Sequence, residues 1–361
     1  FKSDKHADRS VSFFGRTNYQ ISKYLFTFTM RADGSSKFSR NNKWGYFPAG
    51  AVAWRLNEEP FIKKLDIFHN LKLRLSYGLT GNNRISDYQF WSLMTSSYML
   101  LNNTASTTYL PTLGNDDLKW ETNITANIGL DMAFLKGRIG LVFDMYQTDT
   151  KNLLMNANLQ PSSGYTVGVR NVGATRNRGM EIMLTTHNVK TKNFNWHTSL
   201  SLSFNKAIIK ELANTKQWFI NSKTNRNDSV SYFDYVYEVG LETGTYYGFI
   251  YDGLYQADEF NFDNGIWTLK DGVVDCEIYP TGPQPGYAKY RNLNPDEDNV
   301  VTSRDRTYIG KANPVCNGGL TNTFTYKNFK MSLFCIFKLG GKIYNGNIYN
   351  YLYPGNGLSL I

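Results

Sequence analysis

Oxygen-bearing side chains at metal-ligand spacing occur in the tract Asn292-Leu293-Asn294-Pro295-Asp296-Glu297-Asp298. A calcium loop places oxygen ligands at its first, third and fifth positions and a glycine at the sixth, where the backbone turns sharply. Here Asn292, Asn294 and Asp296 take the three ligand positions and Glu297 stands where the glycine belongs. The plainer reading of the same residues is an Asx-rich loop that hydrogen-bonds its own backbone. Trp91, Trp218 and Trp267 lie in long polar stretches. Indole rings with convergent polar groups make a platform for sugar rings, and they equally make loop cores or membrane-interface anchors. Chemistry beyond binding finds no support. No Gly-x-Ser-x-Gly, His-Glu-x-x-His or phosphate loop is present. The many carboxylates have no fixed separation in sequence, which a glycosidase pair would need. Cys276, Cys316 and Cys335 are odd in number with no Cys-x-x-Cys pair, and the four histidines are isolated. No catalytic, cofactor-binding or metal residue is therefore assigned, no cofactor is expected, and substrate-contacting residues stay unassigned.

These residues must be carried by strands. In Trp196-His197-Thr198-Ser199-Leu200-Ser201-Leu202-Ser203-Phe204-Asn205 every second residue is apolar except Thr198, and those between are polar. Successive side chains of a strand point to opposite faces, so such a segment has one oily face and one wet face. The pattern recurs in about ten segments: near 11–20, 23–33, 47–56, 70–80, two joined by a tight turn at Lys136-Gly137, 178–189, 194–206, 317–326 and 329–339. In the pair around Lys136, Ile124, Ile128, Leu130, Leu141 and Phe143 share the apolar phase, and Thr125, Asn127, Asp131 and Asp144 share the polar one. Arg74, Arg138 and Glu181 also fall on polar phases, as do Asn205 and Tyr146, which read as structural polar residues. A helical turn fits the stretch 57–70 around Pro60.

The links between these segments alternate in length, short then long, with long loops at about 81–120, 150–177 and 208–315. A soluble β-sandwich has no reason to sort its loops by parity. An outer-membrane barrel does, because its periplasmic turns are short and its external loops long. An arginine on the lipid face near the midplane costs about 2–4 kcal/mol, so the confinement of charge to one phase fits the same reading. The fold class expected is all-β, a transmembrane antiparallel β-barrel. Aromatics reach 15%, with 25 Tyr and 23 Phe, as girdles at two interfaces would require. No apolar run approaches the ~18–20 residues of a membrane helix. The formal net charge of +9 is scattered along the chain rather than clustered, which argues against nucleic acid as a partner. The N-terminus Phe1-Lys2-Ser3-Asp4 is followed by no apolar signal region, so the chain is expected to start after processing or inside a longer protein.

Ordered phrases along the chain resemble those of SusC/RagA-type TonB-dependent transporters of the Bacteroidetes outer membrane. They are Phe14-Gly15-Arg16 with Tyr19; Arg31-Ala32-Asp33-Gly34-Ser35-Ser36-Lys37-Phe38; Tyr46-Phe47-Pro48 with Ala53-Trp54-Arg55; and Leu71-Lys72-Leu73-Arg74 with Ser76-Tyr77-Gly78 and Thr80-Gly81-Asn82. Leu118-Lys119-Trp120-Glu121, Asn171-Val172-Gly173, Asn177-Arg178-Gly179-Glu181, Tyr247-Gly248, Gly253-Leu254-Tyr255 and Ile309-Gly310 with Pro314 and Gly318-Gly319 follow in the family's order. The resemblance implies part of a 22-stranded barrel, with a plug domain and N-terminal strands lying outside residues 1–361. Asn356-Gly357-Leu358-Ser359-Leu360-Ile361 does not read as an aromatic-ended closing strand. Function implied by resemblance is TonB-energised import of an oligomeric nutrient, glycan or peptide, across the cell outer membrane, with no enzymatic step. A SusD/RagB-like surface lipoprotein, the TonB complex and outer-membrane lipid are the implied partners. The family often has an Asp-x-Asn-x-Asp-Gly version of the tract at Asn292. An adhesin or enzyme barrel, or a soluble glycan-binding β-protein, are the alternatives.

Overall fold

Alternation of Tyr24, Phe26, Phe28 and Met30 with Leu25, Thr27, Thr29 and Arg31 gives one strand two unlike faces, and the whole wall repeats that device. The computed structural model describes residues 8–101, 104–159, 162, 165, 167–213, 217–220, 235–279, 281–295, 298–343 and 345. The termini Phe1–Ser3 and Asn356–Ile361 lie outside the described residues. Ten strands form one antiparallel sheet in strict chain order. They are β1 (Ser10–Ile21), β2 (Tyr24–Ser35), β3 (Trp44–Arg55), β4 (Phe68–Asn82), β5 (Glu121–Phe134), β6 (Ile139–Lys151), β7 (Ala174–Lys190), β8 (Phe194–Glu211), β9 (Cys316–Tyr326) and β10 (Phe329–Leu339). The expected helical turn is there too, as a 3-10 turn over Leu56–Glu58 and a single α turn over Pro60–Lys63.

Register shows how the two faces run through the sheet. One row of directly opposed residues reads Ile21, Tyr24, Trp54, Leu73, Leu130, Phe143, Ile182, Leu202, Gly318 and Phe337. Nine of the ten are apolar or aromatic and the tenth is glycine. The row starts at the short β1–β2 link and ends at the ninth residue of β10, so the strands climb past one another as the tilted strands of a barrel must. The neighbouring row on the other face reads Leu25, Ala53, Arg74, Gly129, Asp144, Glu181, Ser203, Asn317 and Lys338.

Exposure decides between a membrane wall and a soluble sheet. Ile128 is 47% exposed and Leu333 56%, and Leu200 is only partly buried. A sandwich would cover these residues with a second sheet. Buried apolar residues of the sheet are confined to its margins, at Phe47, Leu71, Ile209 and Cys316. The outer face is a band meant for hydrocarbon. Its height can be read from β3, where Trp44 and Trp54 share the outer face. Phe13 stacks on Trp44 at 6.1 Å and Tyr24 on Trp54 at 5.9 Å. Their separation in sequence, at ~3.3 Å per residue and a tilt of ~40°, corresponds to a rise of about 25 Å. That equals the apolar band of an outer-membrane barrel. Further aromatic contacts at the short-link end join Phe68 to Phe134 and Trp196 to Phe324.

The short links are tightened by local bonds. Lys23 reaches Glu59 with its Nζ 2.8 Å from both carboxylate oxygens, and Trp54 Nε1 donates to Glu59 Oε1 at 2.9 Å. This clamp ties the β1–β2 turn to the β3–β4 link. The Lys23 ammonium holds the Glu59 carboxyl below its ordinary value, with Trp54 adding to the effect, and Glu59 in turn holds Lys23 above its own. Long links carry strands of their own. Leu93–Leu101 pairs with Thr104–Thr112, and Leu154–Asn158 with Val167–Asn171.

The described residues within Gln217–Pro314 and Gly341–Ile361 form a second compact unit. Within it Gln217–Ile220, Tyr235–Glu238, Thr245–Gly248 and Thr307–Lys311 make a four-stranded antiparallel sheet. A small core gathers Tyr255, Phe260, Cys276 and Val301. Tyr255 donates its hydroxyl to the Val274 carbonyl at 2.6 Å and accepts from the Cys276 amide at 3.2 Å.

Two outcomes follow for the wall. Arginine on the outer face costs about 2–4 kcal/mol near mid-height and about 0–1 kcal/mol near an interface. Ile128→Arg is therefore expected to cut the yield of heat-modifiable folded barrel most, Leu141→Arg, close to the β5–β6 link, less, and inner-face Thr125→Arg least. Equal yields would overturn the assignment of faces. For the clamp, Glu59→Gln removes a carboxylate whose folded pKa is lowered. Its stabilisation is present above the ordinary value of about 4.5 and lost as pH falls through the lowered value. The variant should unfold more readily than wild type at pH 7, with the difference shrinking as pH falls below about 4.5 when unfolding midpoints are compared.

Candidate functional site

The inner face is where charge has been gathered. Arg74 donates from Nε to Asp131 Oδ1 at 3.0 Å and from a terminal nitrogen to Asp144 Oδ2 at 2.9 Å, while Lys72 sits 2.7 Å from Asp131. The two aspartates come from different strands, β5 and β6, and Arg74 from β4. The guanidinium bridges across β5 because the residue between Arg74 and Asp144 in the row is Gly129. A Cβ there would lie 2.6 Å from Arg74 Cζ. Next in the row after Asp144 comes Glu181, directly opposite it on β7. Above them Tyr146 leans across Gly179 and donates to Asn205 Oδ1 at 3.4 Å, so both polar residues line the wall and bond each other. Asn177 and Asn317 each hold a buried side-chain oxygen without a hydrogen-bond partner among the described residues. Arg138 lies outside the strands and caps the β7 end, donating to the carbonyls of His187 and Asn188.

At the long-link end a cavity of about 400 Å³ is lined by Ser39, Arg40, Asn41, Lys43, Phe90, Trp91 and Asp116. Trp91 is 55% exposed and stacks on Tyr88 at 5.6 Å, with Phe90 at 5.0 Å. The floor is rigid. Ser39 Oγ donates to the Asp116 carbonyl at 2.6 Å, Trp120 Nε1 donates to the Lys43 carbonyl at 3.1 Å, and fully buried Phe38 packs on Trp120 at 5.3 Å. An open indole face with two cations and several amide or hydroxyl groups can stack a ring and bind its polar edge. Trp267, by contrast, packs on Phe262 at 4.5 Å and on Phe260, so it supports the core of the second unit. The side chain of Trp218 lies outside the described residues.

The tract at Asn292 turns its oxygens on its own backbone. Asn292 Oδ1 accepts from the Asn294 amide at 2.7 Å, and its amide group donates to the Asp298 carbonyl at 2.7 Å. Asp298 Oδ1 accepts from the Val300 amide at 3.1 Å. Asp305, buried, accepts from the amides of Leu293 and Thr302 at 2.9 and 2.8 Å. Sequence reasoning passed over Asp305, although Thr302-x-x-Asp305 has the spacing of a reciprocal cap. Asp296 and Glu297 lie outside the described residues, and among the described residues no group of three metal-ligating side chains converges. Cys276 and Cys316 are buried, Cys335 is exposed, and all three are free thiols.

A family described as TonB dependent receptor-like, beta-barrel, matches residues 1–294. The chain belongs to the TonB-dependent receptor family. TonB-dependent receptor P3 of Formosa agariphila is 36% identical over 349 residues, covering 96% of this chain and 33% of the relative. TonB-dependent receptor SusC of Bacteroides thetaiotaomicron is 31% identical over 353 residues, covering 95% of this chain and 32% of the relative. The chain thus spans about a third of the length of the curated relatives it matches. Among solved structures, that of the RagAB peptide transporter aligns with a TM-score of 0.69 at 22% identity, over 90% of this chain and 33% of the other. The RagAB importer in its "open-open" state gives 0.71 at 21% identity, over 92% and 33%. The fold is that of a TonB-dependent receptor barrel, of SusC/RagA type, and the family is one of outer-membrane transporters rather than enzymes.

In this receptor wall the bridge through Arg74 keeps Asp144 and Glu181 from facing each other uncompensated. Arg74→Met should lower folded stability by about 1–3 kcal/mol, since two partly buried carboxylates lose a charged partner. Asp131 keeps Lys72, so adding Asp144→Asn should restore most of the loss. Unfolding midpoints of the three proteins would show it. An additive rather than compensating double variant would contradict the bridge.

Proposed function

We propose that this chain forms part of the wall of an outer-membrane importer of oligomeric nutrients, energised through TonB and closed outside by a SusD/RagB-like surface lipoprotein. The supporting observation is the pair of unlike faces: an outer band about 25 Å high between aromatic rings, and an inner face that carries Arg74, Asp131, Asp144 and Glu181. A wall of this kind borders hydrocarbon on one side and water on the other. In hydrocarbon the edges at β1 and β10 need pairing, which the rest of a longer barrel would supply. The elaborate links all leave the same end of the sheet. They carry the cavity at Trp91, where a substrate would be met first.

A glycan or a peptide suits the cavity chemistry, in which Trp91 offers a stacking face and Arg40, Lys43, Asn41 and Ser39 offer polar contacts. The wall itself is passive in this reading. It excludes lipid from a polar interior while plug movement, driven from the periplasm, opens the path.

Import by cells producing the full-length protein tests the reading. Accumulation of oligosaccharides or oligopeptides should depend on the protein, stop when a protonophore collapses the proton gradient, and fall about tenfold in apparent affinity in Trp91→Ala. The Trp267→Ala protein should keep its affinity and lose thermal stability. Accumulation that persists after the gradient is collapsed would replace the importer with a passive pore. No uptake, with a full membrane-bound yield, would favour an adhesin barrel.

A further inference from the structure

We propose that the short-link end of this barrel wall is a docking surface for the headgroups of anionic phospholipids. The proposal rests on the barrel reading of the fold and is independent of what the barrel imports. Every one of the five short links carries at least one lysine: Lys23 in β1–β2, Lys63 and Lys64 in β3–β4, Lys136 in β5–β6, Lys190 and Lys192 around β7–β8, and Lys327 in β9–β10. The acids of these links are Glu58, Glu59 and Asp66, all in β3–β4. Glu59 is held by Lys23, and Glu58 lies 3.4 Å from Arg55. Six exposed lysines then stand in the short links against a single aspartate. Among the described residues none of the six has a carboxylate within ion-pair distance.

Their surroundings name the occupant. Phe61, Leu65, Ile67 and Leu135 stand exposed between the lysines, in the same two links as Lys63, Lys64 and Lys136. Exposed phenylalanine, leucine and isoleucine beside cations suit neither bulk water nor the middle of hydrocarbon. They suit the boundary, where an apolar side chain enters the acyl region and a lysine stem extends to a phosphate. The surface continues the hydrocarbon-facing band without a break. Lys23 Nζ lies 5.7 Å from the centroid of Tyr24 and Lys327 Nζ 5.5 Å from that of Tyr326, so the cations sit at the depth of the aromatic girdle. Short turns face the periplasm in such barrels, and the leaflet there is built of phospholipid. Clustered lysines next to a membrane surface attract anionic lipid, and salt weakens the attraction.

Native mass spectrometry of the full-length protein in non-ionic micelles containing equal phosphatidylglycerol and phosphatidylcholine would count retained lipid. With Lys63, Lys64, Lys136, Lys190, Lys192 and Lys327 all changed to Gln, retained phosphatidylglycerol should fall at least threefold while phosphatidylcholine is unchanged. The same six changed to Arg should retain wild-type levels. A control with Lys119, Lys151, Lys210 and Lys270 changed to Gln, away from the short links, should also retain them. Should the sixfold variant fail the heat-modifiability check for folding, the pairs Lys63/Lys64 and Lys190/Lys192 are changed separately, each with a smaller expected loss. Unchanged phosphatidylglycerol in the folded Gln variants overturns the proposal, as does an equal loss in the control. Because the readout is lipid and not uptake, either result leaves the import reading where it stood.

Discussion

In hydrocarbon a backbone amide has no water to bond, and every other feature of this wall answers to that condition. The ten strands meet it by pairing in chain order, each antiparallel to the next, so that a row of directly opposed residues can be followed from Ile21 to Phe337 without interruption. Pairing in turn fixes which side chains look outward. With the ladder set, a single step of register would put Arg74 among the lipid tails and Leu73 in the polar interior. The sequence tolerates no such slip, because apolar and polar phases are kept distinct through most of the band.

Polar residues on the inner side still have to be satisfied, and they are satisfied largely by one another. Arg74 joins three strands through two aspartates, and Gly129 makes the crossing possible by offering no side chain. Tyr146 and Asn205 repeat the arrangement across Gly179. Glycine in these rows is a matter of room for a neighbour's side chain. At the links the controlling interaction changes to Lys23 with Glu59, which binds two turns that sequence alone would leave independent.

The ten strands were legible because a period of two is hard to mimic over eleven or more residues, and their ends fall within a few residues of the alternation. Two things were hidden. β6 and β7 run on beyond the apolar band, where Gln147 and Asp149 occupy the outward phase and meet Arg178 and Arg176. Polar residues there read as loop, yet the ladder continues with one ion pair and one hydrogen bond in place of hydrocarbon contact. The hairpins within the long links were hidden for a related reason, since Leu93–Leu101 and Thr104–Thr112 carry Thr and Ser on both phases. Of the candidate site, Trp91 and Trp267 looked alike in sequence. One lies open beside a cavity and the other is packed on Phe260 and Phe262, a difference that arises only from tertiary neighbours. The tract at Asn292 showed its turn-forming residues plainly, but its anchor, Asp305, comes from beyond the tract.

The climb of each strand past the next has a mechanical side. Tension applied along the barrel's long axis runs lengthwise down the seams between strands, so all rungs of a ladder bear it together and slip only as a group. A sideways tug at a free margin would part the same ladder one rung at a time. Such a wall is stiff along its strands and parts most readily where a border strand is left ungripped.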